Sequence, residues 1–183
     1  ADSLLIKEKI TCYNGFDPTA KSLHIGNLIP ILGLQRLQNY GHNPIVIVGG
    51  ATGMIGDPSG KADERKLLTN DQIEENLSGI KSQLEKFLDF DNKTNPAKII
   101  NNSNWLSKIN LIDFLRDTGK YFNLNNMMSK DSVKNRISRE EGISFTEFSY
   151  QLLQAYDFLY LFENYNCTFQ MGGSDQWGNI IAG

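Results

Sequence analysis

Cysteine is scarce: only Cys12 and Cys167 occur, far apart and with no second Cys or His at ligand spacing. That excludes a zinc site and a disulfide framework, and two reduced thiols are expected. Positive charge is also short, with 18 Lys and Arg against 21 Asp and Glu and a formal net charge of -3. A domain that held nucleic acid mainly by neutralising phosphates would be basic, so any RNA partner is gripped by a local patch or by parts outside this stretch. No apolar run approaches the ~20 residues of a membrane span, and Ala1-Asp2-Ser3 does not open a charged and apolar leader. A soluble protein with no membrane partner is expected, any targeting peptide having been removed or never present. With no internal repeat, low-complexity linker or second boundary, residues 1–183 read as a single domain.

What is present is a globular composition, 40% hydrophobic and 21% charged, in a repeating order. Lys9-Ile10-Thr11-Cys12-Tyr13 alternates polar and apolar residues, which predicts a strand, and Gly15-Phe16-Asp17-Pro18-Thr19 reads as the turn that ends it. Leu28, Ile31, Leu32, Leu34 and Leu37 keep helical spacing up to a stop near Gly41. Ile45-Val46-Ile47-Val48 is a β-branched run of the kind buried on both faces of a parallel sheet. Together they form a βαβ unit. A polar helix over 71–87 follows, with Ile73, Leu77, Ile80, Leu84 and Phe87 on one stripe. Then come a strand at 98–100, a helix at 111–116, an Asn-, Ser- and Arg-rich stretch over 121–141, a helix over 145–163 and a strand at 168–171. The alternation implies an α/β fold on an open, doubly wound parallel sheet, whose ligands sit beyond the carboxyl ends of the strands. Four clusters follow predicted strands: Gly15 to Thr19, Gly49 to Gly53, Asn101-Asn102 and Gly172 to Gln176. One rim of the sheet is expected to carry the chemistry.

His24-Ile25-Gly26-Asn27 opens a helix, where backbone N–H groups and the helix dipole favour phosphate and Gly26 admits a close ligand. The same residues fit an ordinary helix start capped by Ser22. Gly49-Gly50-Ala51-Thr52-Gly53-Met54-Ile55-Gly56-Asp57-Pro58-Ser59-Gly60-Lys61 lacks the spacing of a Walker motif, and its many glycines serve no evident packing purpose. It is either a flexible loop or a mount for Asp57, a carboxylate within reach of a ligand's ammonium or a metal. Tyr150, Gln154 and Asp157 fall at i, i+4 and i+7 and share one helix face. Apolar flanks at Leu152, Leu153, Phe158 and Leu159 suggest that this polar stripe is buried, and buried polar groups need partners, of which a ligand is one. In Gly172-Gly173-Ser174-Asp175-Gln176-Trp177-Gly178-Asn179, Asp175 can accept from sugar hydroxyls while the glycines admit a backbone; a glycine turn capping a helix explains the run equally well. Residues 61–75 read mostly as solvated surface, from which only Lys61 and Arg65 stand out. Trp105 and Trp177 read as packing residues.

Taken together with Tyr13-Asn14-Gly15-Phe16-Asp17-Pro18-Thr19, Ser144-Phe145-Thr146-Glu147-Phe148 and Gln154-Ala155-Tyr156-Asp157, these motifs closely resemble the tyrosyl-tRNA synthetases of bacteria and mitochondria, in the family's order and spacing from about Ile10 to Gly183. The resemblance implies a Rossmann-like class I catalytic domain that joins tyrosine to AMP, releases pyrophosphate and passes the tyrosyl group to tRNA(Tyr). ATP, with Mg2+, enters as a substrate; no tightly bound cofactor and no metal site in the protein are implied. By the same resemblance, Tyr13 and Asp157 meet the substrate phenol, with Asn102 in support. Asp57, Tyr150 and Gln154 surround its ammonium, and Gln176 lies near its carboxylate. Gly15, Asp17, Gly26, Gly172 and Asp175 hold ATP, while Thr19, His24 and Asn27 act at its phosphates and Lys61 and Arg65 assist pyrophosphate.

Three departures bear on that expectation. Asn27 stands where the class signature carries a second histidine; its amide can still donate, so function is expected to survive with altered ATP contacts. Asn14 stands where many bacterial relatives carry Cys or another small residue. The stretch ends at Gly183, before the family's lysine loop, anticodon-recognising part and C-terminal RNA-binding part, so by itself it is expected to bind ligand weakly and not to aminoacylate. Met127-Met128-Ser129-Lys130 looks like a lysine loop but precedes the last strand, and is read as accidental. Residues 121–141 resemble the connective insertion that forms the interface of a homodimer. Two other readings stand beside this one: an RNA-binding scaffold with an intron RNA as partner, as in some fungal mitochondrial relatives, and a tryptophan-activating cousin, against which Tyr13 with Asp157 favours a phenol. The Asn- and Lys-rich composition leaves bacterial cytoplasm and mitochondrial matrix both open.

Overall fold

The β-branched run lies where its composition demands, inside a parallel sheet. In a computed structural model, which describes residues 2–58, 68–138 and 142–183, β1 (Thr11–Phe16) pairs in parallel with β2 (Asn43–Val48) and β2 with β3 (Lys98–Asn101). The other edge of β1 takes β4 (Cys167–Gln170), so the order is β3-β2-β1-β4. Parallel neighbours need crossovers, and helices supply them. In chain order these are α1 (Asp2–Lys7), α2 (Leu28–Asn39), α3 (Thr52–Ile55), α4 (Asn70–Leu84), α5 (Ser103–Leu106), α6 (Leu111–Asp117), α7 (Leu124–Met128), α8 (Asp131–Ile137), α9 (Phe145–Tyr165) and α10 (Trp177–Ile180).

Strand periodicity sorts the core into two layers. Val46 and Val48 of β2, with Cys12 and Phe16 of β1, join Ile31 and Leu34 of α2 and Ile80 and Leu84 of α4 on one face. Ile45, Ile47 and Tyr13 point the other way, against Trp105, Leu161 and Cys167. Leu34, Leu84 and Leu161 are fully buried, and truncating such a leucine to alanine costs about 2–5 kcal/mol. The long α9 starts where the Ser144 side chain accepts from the Glu147 N–H and stops where Asn166 turns left-handed at φ 51°. It is tied to α8 by a buried ion pair in which both Arg136 terminal nitrogens meet the Glu147 carboxylate, at 3.1 and 2.8 Å.

Several boundaries differ from the sequence expectation. β1 does not end at Gly15 but runs to Phe16, because Asn14, Gly15 and Phe16 pair with Val46, Ile47 and Val48; a glycine is tolerated in a strand whose neighbours fix its backbone. The helix after it is capped by His24, not Ser22, through a 3₁₀ turn over Ile25–Asn27 that leads into α2. α4 stops at Leu84, three residues early, and the stretch over 121–141 holds two short helices, α7 and α8. The stripe on α4 is as expected, with Ile73, Ile80 and Leu84 buried.

From β1 the chain builds the sheet in one direction through β2 and β3, then returns to the opposite side with β4. The crossovers diverge between β1 and β4, and a crevice opens beyond their carboxyl ends.

Candidate active site

Into that crevice β1 and its following turn send Tyr13, Gly15, Asp17 and Thr19, and the start of the α2 segment sends His24, Gly26 and Asn27. The loop after β2 contributes Asp57, α9 contributes Tyr150, Gln154 and Asp157, and the segment after β4 contributes Gly172, Asp175 and Gln176. Asn102 stands behind this wall rather than in it, bonded to Asp157. Lys61 and Arg65 lie outside the described residues.

The deep end is set by α9. Asp157 is 4% exposed, and its two oxygens accept from Asn102 Nδ2 at 2.9 Å and Trp105 Nε1 at 2.7 Å. Burial pushes its carboxyl up to about 7, against the pull of those two donors, with the charge of Asp17 adding to the rise. Facing the same cleft, the Tyr13 hydroxyl is buried and has no hydrogen-bond partner among the described residues. Burial, then the charges of Asp157 and Cys167, hold its ionisation well above the usual phenol range, so it is a neutral donor and acceptor. A buried hydroxyl with no partner among the described residues, beside a carboxylate, costs stability and marks a place for a ligand group of matching polarity.

A hydrogen-bonded chain joins this end to the rest. Asn102 Nδ2 also donates to Thr52 Oγ1 at 3.0 Å, Thr52 Oγ1 donates to Asp17 Oδ1 at 2.9 Å, and the Tyr150 hydroxyl donates to Asp17 Oδ2 at 2.9 Å. The resemblance separates Tyr150, near an ammonium, from Asp17, near adenosine; in the structure the two side chains are bonded in one wall of the cleft. Gly49 allows this, since a Cβ there would lie 2.1 Å from Asp17 Oδ1 and 2.3 Å from Thr52 Oγ1. The glycine run after β2 therefore does have a packing role, contrary to expectation. Asp57, 5% exposed, accepts from Gln176 Nε2 at 2.7 Å and Asn179 Nδ2 at 3.4 Å, and Gln154 Nε2 donates to Gln170 Oε1 at 3.2 Å. Asp175 is exposed at the rim and receives a second bond from Gln176, at 3.1 Å.

At the opposite end, His24 Nδ1 accepts from the Gly26 N–H at 3.0 Å while Asn27 Oδ1 accepts from the His24 N–H at 3.0 Å. The reciprocal pair is a capping box. Because Nδ1 accepts, the neutral ring carries its proton on Nε2, free to donate outward. The cleft thus gathers four carboxylates, Asp17, Asp57, Asp157 and Asp175, with no Lys or Arg among its described lining residues.

Sequence reasoning missed some members. Trp105, taken for packing, does stack on Tyr160 at a centroid distance of 4.2 Å, but it also supplies the shortest bond to Asp157. Its position three residues past Asn102, just beyond β3, was the available signal. Trp177, also taken for packing, is 65% exposed at the cleft mouth. Thr52 and Asn179 carried no signal outside their glycine-rich surroundings. The Lys130 ammonium, set aside earlier, donates to the Gly178 carbonyl and braces the segment after β4.

Fold and cleft together define a Rossmann-like domain built to seat a small molecule at its switch point. The model of the family tRNA synthetases class I (W and Y) matches residues 6–183, and the chain belongs to that family. It is similar to the tyrosine-tRNA ligase 1 of Bacillus subtilis, at 61% identity over 179 residues, 98% of this chain and 42% of the relative. It is also similar to the tyrosine-tRNA ligase of Roseiflexus castenholzii, at 58% over 182 residues, 100% of this chain and 43% of the relative. The chain thus spans about two-fifths of the length of these curated relatives. Among solved structures it is similar to a C-terminally truncated Aspergillus nidulans mitochondrial tyrosyl-tRNA synthetase, with a TM-score of 0.87 and 35% identity over 96% of this chain and 52% of the other. A tyrosyl-tRNA synthetase from Archaeoglobus fulgidus shares the fold at a TM-score of 0.71 and 23% identity, over 98% of this chain and 51% of that one.

Proposed function

We propose that this chain is the catalytic domain of an ATP-dependent tyrosine-tRNA ligase. The observation that carries the reading is the pair at the deep end of the cleft: an unpartnered, buried Tyr13 hydroxyl and an Asp157 carboxylate held by Asn102 and Trp105. A phenol O–H can donate to Asp157 and accept from Tyr13; phenylalanine would leave both unmet, which is the condition for strong rejection. Asp57, with Tyr150 and Gln154, suits the substrate's ammonium. Tyrosine's own carboxylate then attacks the α-phosphorus of ATP; the bond to the bridging oxygen breaks and pyrophosphate leaves. No Ser or Cys nucleophile is required. The protein places two reactants and meets the charge that grows on the phosphates.

His24 Nε2 and Thr19, with Asn27 fixing the histidine backbone, are the described donors at the phosphates; Asp17, Gly15, Gly26, Gly172 and Asp175 form the adenosine side and Gln176 the carboxylate side. Lys61 and Arg65 would assist pyrophosphate. Magnesium would arrive as the counter-ion of ATP itself. tRNA(Tyr) is the acceptor in the second step. A homodimer through 121–141 is supported by exposed Tyr121, Leu124, Met128 and Ile137 in and around α7 and α8.

The test is amino-acid-dependent exchange of pyrophosphate into ATP by the whole protein. Exchange with tyrosine, and little with phenylalanine or tryptophan, is the expected result. Exchange driven equally well by tryptophan, or by neither aromatic alcohol nor indole, overturns the reading.

A further inference from the structure

Residues 17–24 carry Asp17, Thr19 and His24, yet they lie in no helix or strand. Their backbone groups must find partners elsewhere. α4 supplies them. Asn76, Gly79 and Gln83 stand at i, i+3 and i+7 and therefore share one face, beside the core stripe of Ile73, Ile80 and Leu84. Asn76, 7% exposed, donates from Nδ2 to the Pro18 carbonyl at 2.7 Å, and Gln83 Oε1 accepts from the Leu23 N–H at 2.7 Å. Between them the loop lies directly on the helix: a Cβ added at Gly79 would sit 2.1 Å from the Lys21 carbonyl oxygen, a backbone atom. The segment that follows α4 is in turn tied to α2, since Gln35 Nε2 donates to the Phe87 carbonyl at 2.8 Å and Gln38 exchanges bonds with the Asp89 backbone at 2.6 and 3.0 Å.

We propose that α4 is a splint for the 17–24 loop, and that Asn76, Gly79 and Gln83 are positioning residues for the ATP half of the reaction. None of the three lines the cleft. They act through Thr19 and His24: the loop enters the splint at Pro18, one residue before Thr19, and leaves it at Leu23, one residue before His24. The inference rests on the reading that Thr19 and His24 face the phosphates of ATP. Gly79 and Gln83 meet the loop at Lys21 and Leu23, away from the Asp17 side chain that bonds Tyr150, so disturbing these two moves the phosphate side and leaves tyrosine binding in place.

Pyrophosphate exchange by the whole protein, with ATP and tyrosine varied separately, tests this. Gln83→Leu removes the acceptor for Leu23 and lowers kcat about tenfold or more, the scale of a misplacement near 1 Å, while the tyrosine KM stays within about twofold. Gln83→Glu, whose carboxylate can still accept from the Leu23 N–H, recovers most of the lost rate. Gly79→Ala strengthens the helix but drives a methyl into the Lys21 carbonyl, and lowers kcat in the same way; it decides the matter if Gln83→Leu fails to fold. An unchanged kcat in both variants, a tyrosine KM that rises in step with the loss, or a Gln83→Glu no better than Gln83→Leu overturns the splint. A wild-type protein without exchange instead overturns the functional reading beneath it, and the splint with it.

Discussion

If the substrate phenol donates to Asp157, the ionised carboxylate is much the stronger acceptor, and tyrosine affinity should follow its titration. Burial pushes this carboxyl up to about 7. Affinity should therefore be flat above that pH and fall about tenfold for each pH unit below it, or about 1.4 kcal/mol per unit; at pH 5 the loss is roughly 100-fold. The ligand does not confuse the reading between pH 5 and 7, because a free phenol titrates at about 10, an α-amino group at about 8 and an α-carboxyl below about 4, all outside the window in which affinity falls. Calorimetric titration of tyrosine without ATP over pH 5 to 8 measures the effect and keeps the His24 end out of the result. Asp157→Asn should bind weakly and without this slope. A wild-type affinity that stays constant from pH 8 down to pH 5 would refute the argument, since no ionisation would then be linked to the phenol contact.

The same carboxyl bears on stability. Its folded value, about 7, lies above the ordinary 3.8, so its contribution is whole below pH 4 and is lost as pH rises to about 7. Denaturation of the empty protein should therefore show Asp157→Asn gaining on the wild type over that window, by at most about 4 kcal/mol. Tyr13→Phe removes a hydroxyl with no partner among the described residues, so it should leave the stability of the ligand-free protein equal or slightly higher while weakening the choice of tyrosine over phenylalanine about tenfold or more in exchange assays. Arg136→Met strands Glu147, which is 1% exposed, and should cost about 3–5 kcal/mol by chemical denaturation, with much of it regained when Glu147→Leu is added. Cys12 and Cys167 are buried, with thiols pushed up to about 12 and about 11, so iodoacetamide at pH 8 should label neither until the protein unfolds.

Period and composition in the chain itself settled the parallel sheet, the amphipathic stripe of α4, the shared face of Tyr150, Gln154 and Asp157, and the rim on which the glycine clusters fall. These are properties of neighbours within one element, and a repeat of 2 or 3.6 residues records them directly. Strand order, by contrast, depends on which edges meet. Only the tertiary structure placed β4 against β1 and so put the cleft between Tyr13 and Gly172. It alone turned Trp105 from a packing residue into the donor that holds Asp157, joined Asp17 to Tyr150 across 133 positions of sequence, and laid the 17–24 loop on Asn76 and Gln83. Each of these rests on one or two hydrogen bonds between distant segments. One amide or indole has no periodicity to betray its partner, so its role appears only when folding brings the two ends within 3 Å.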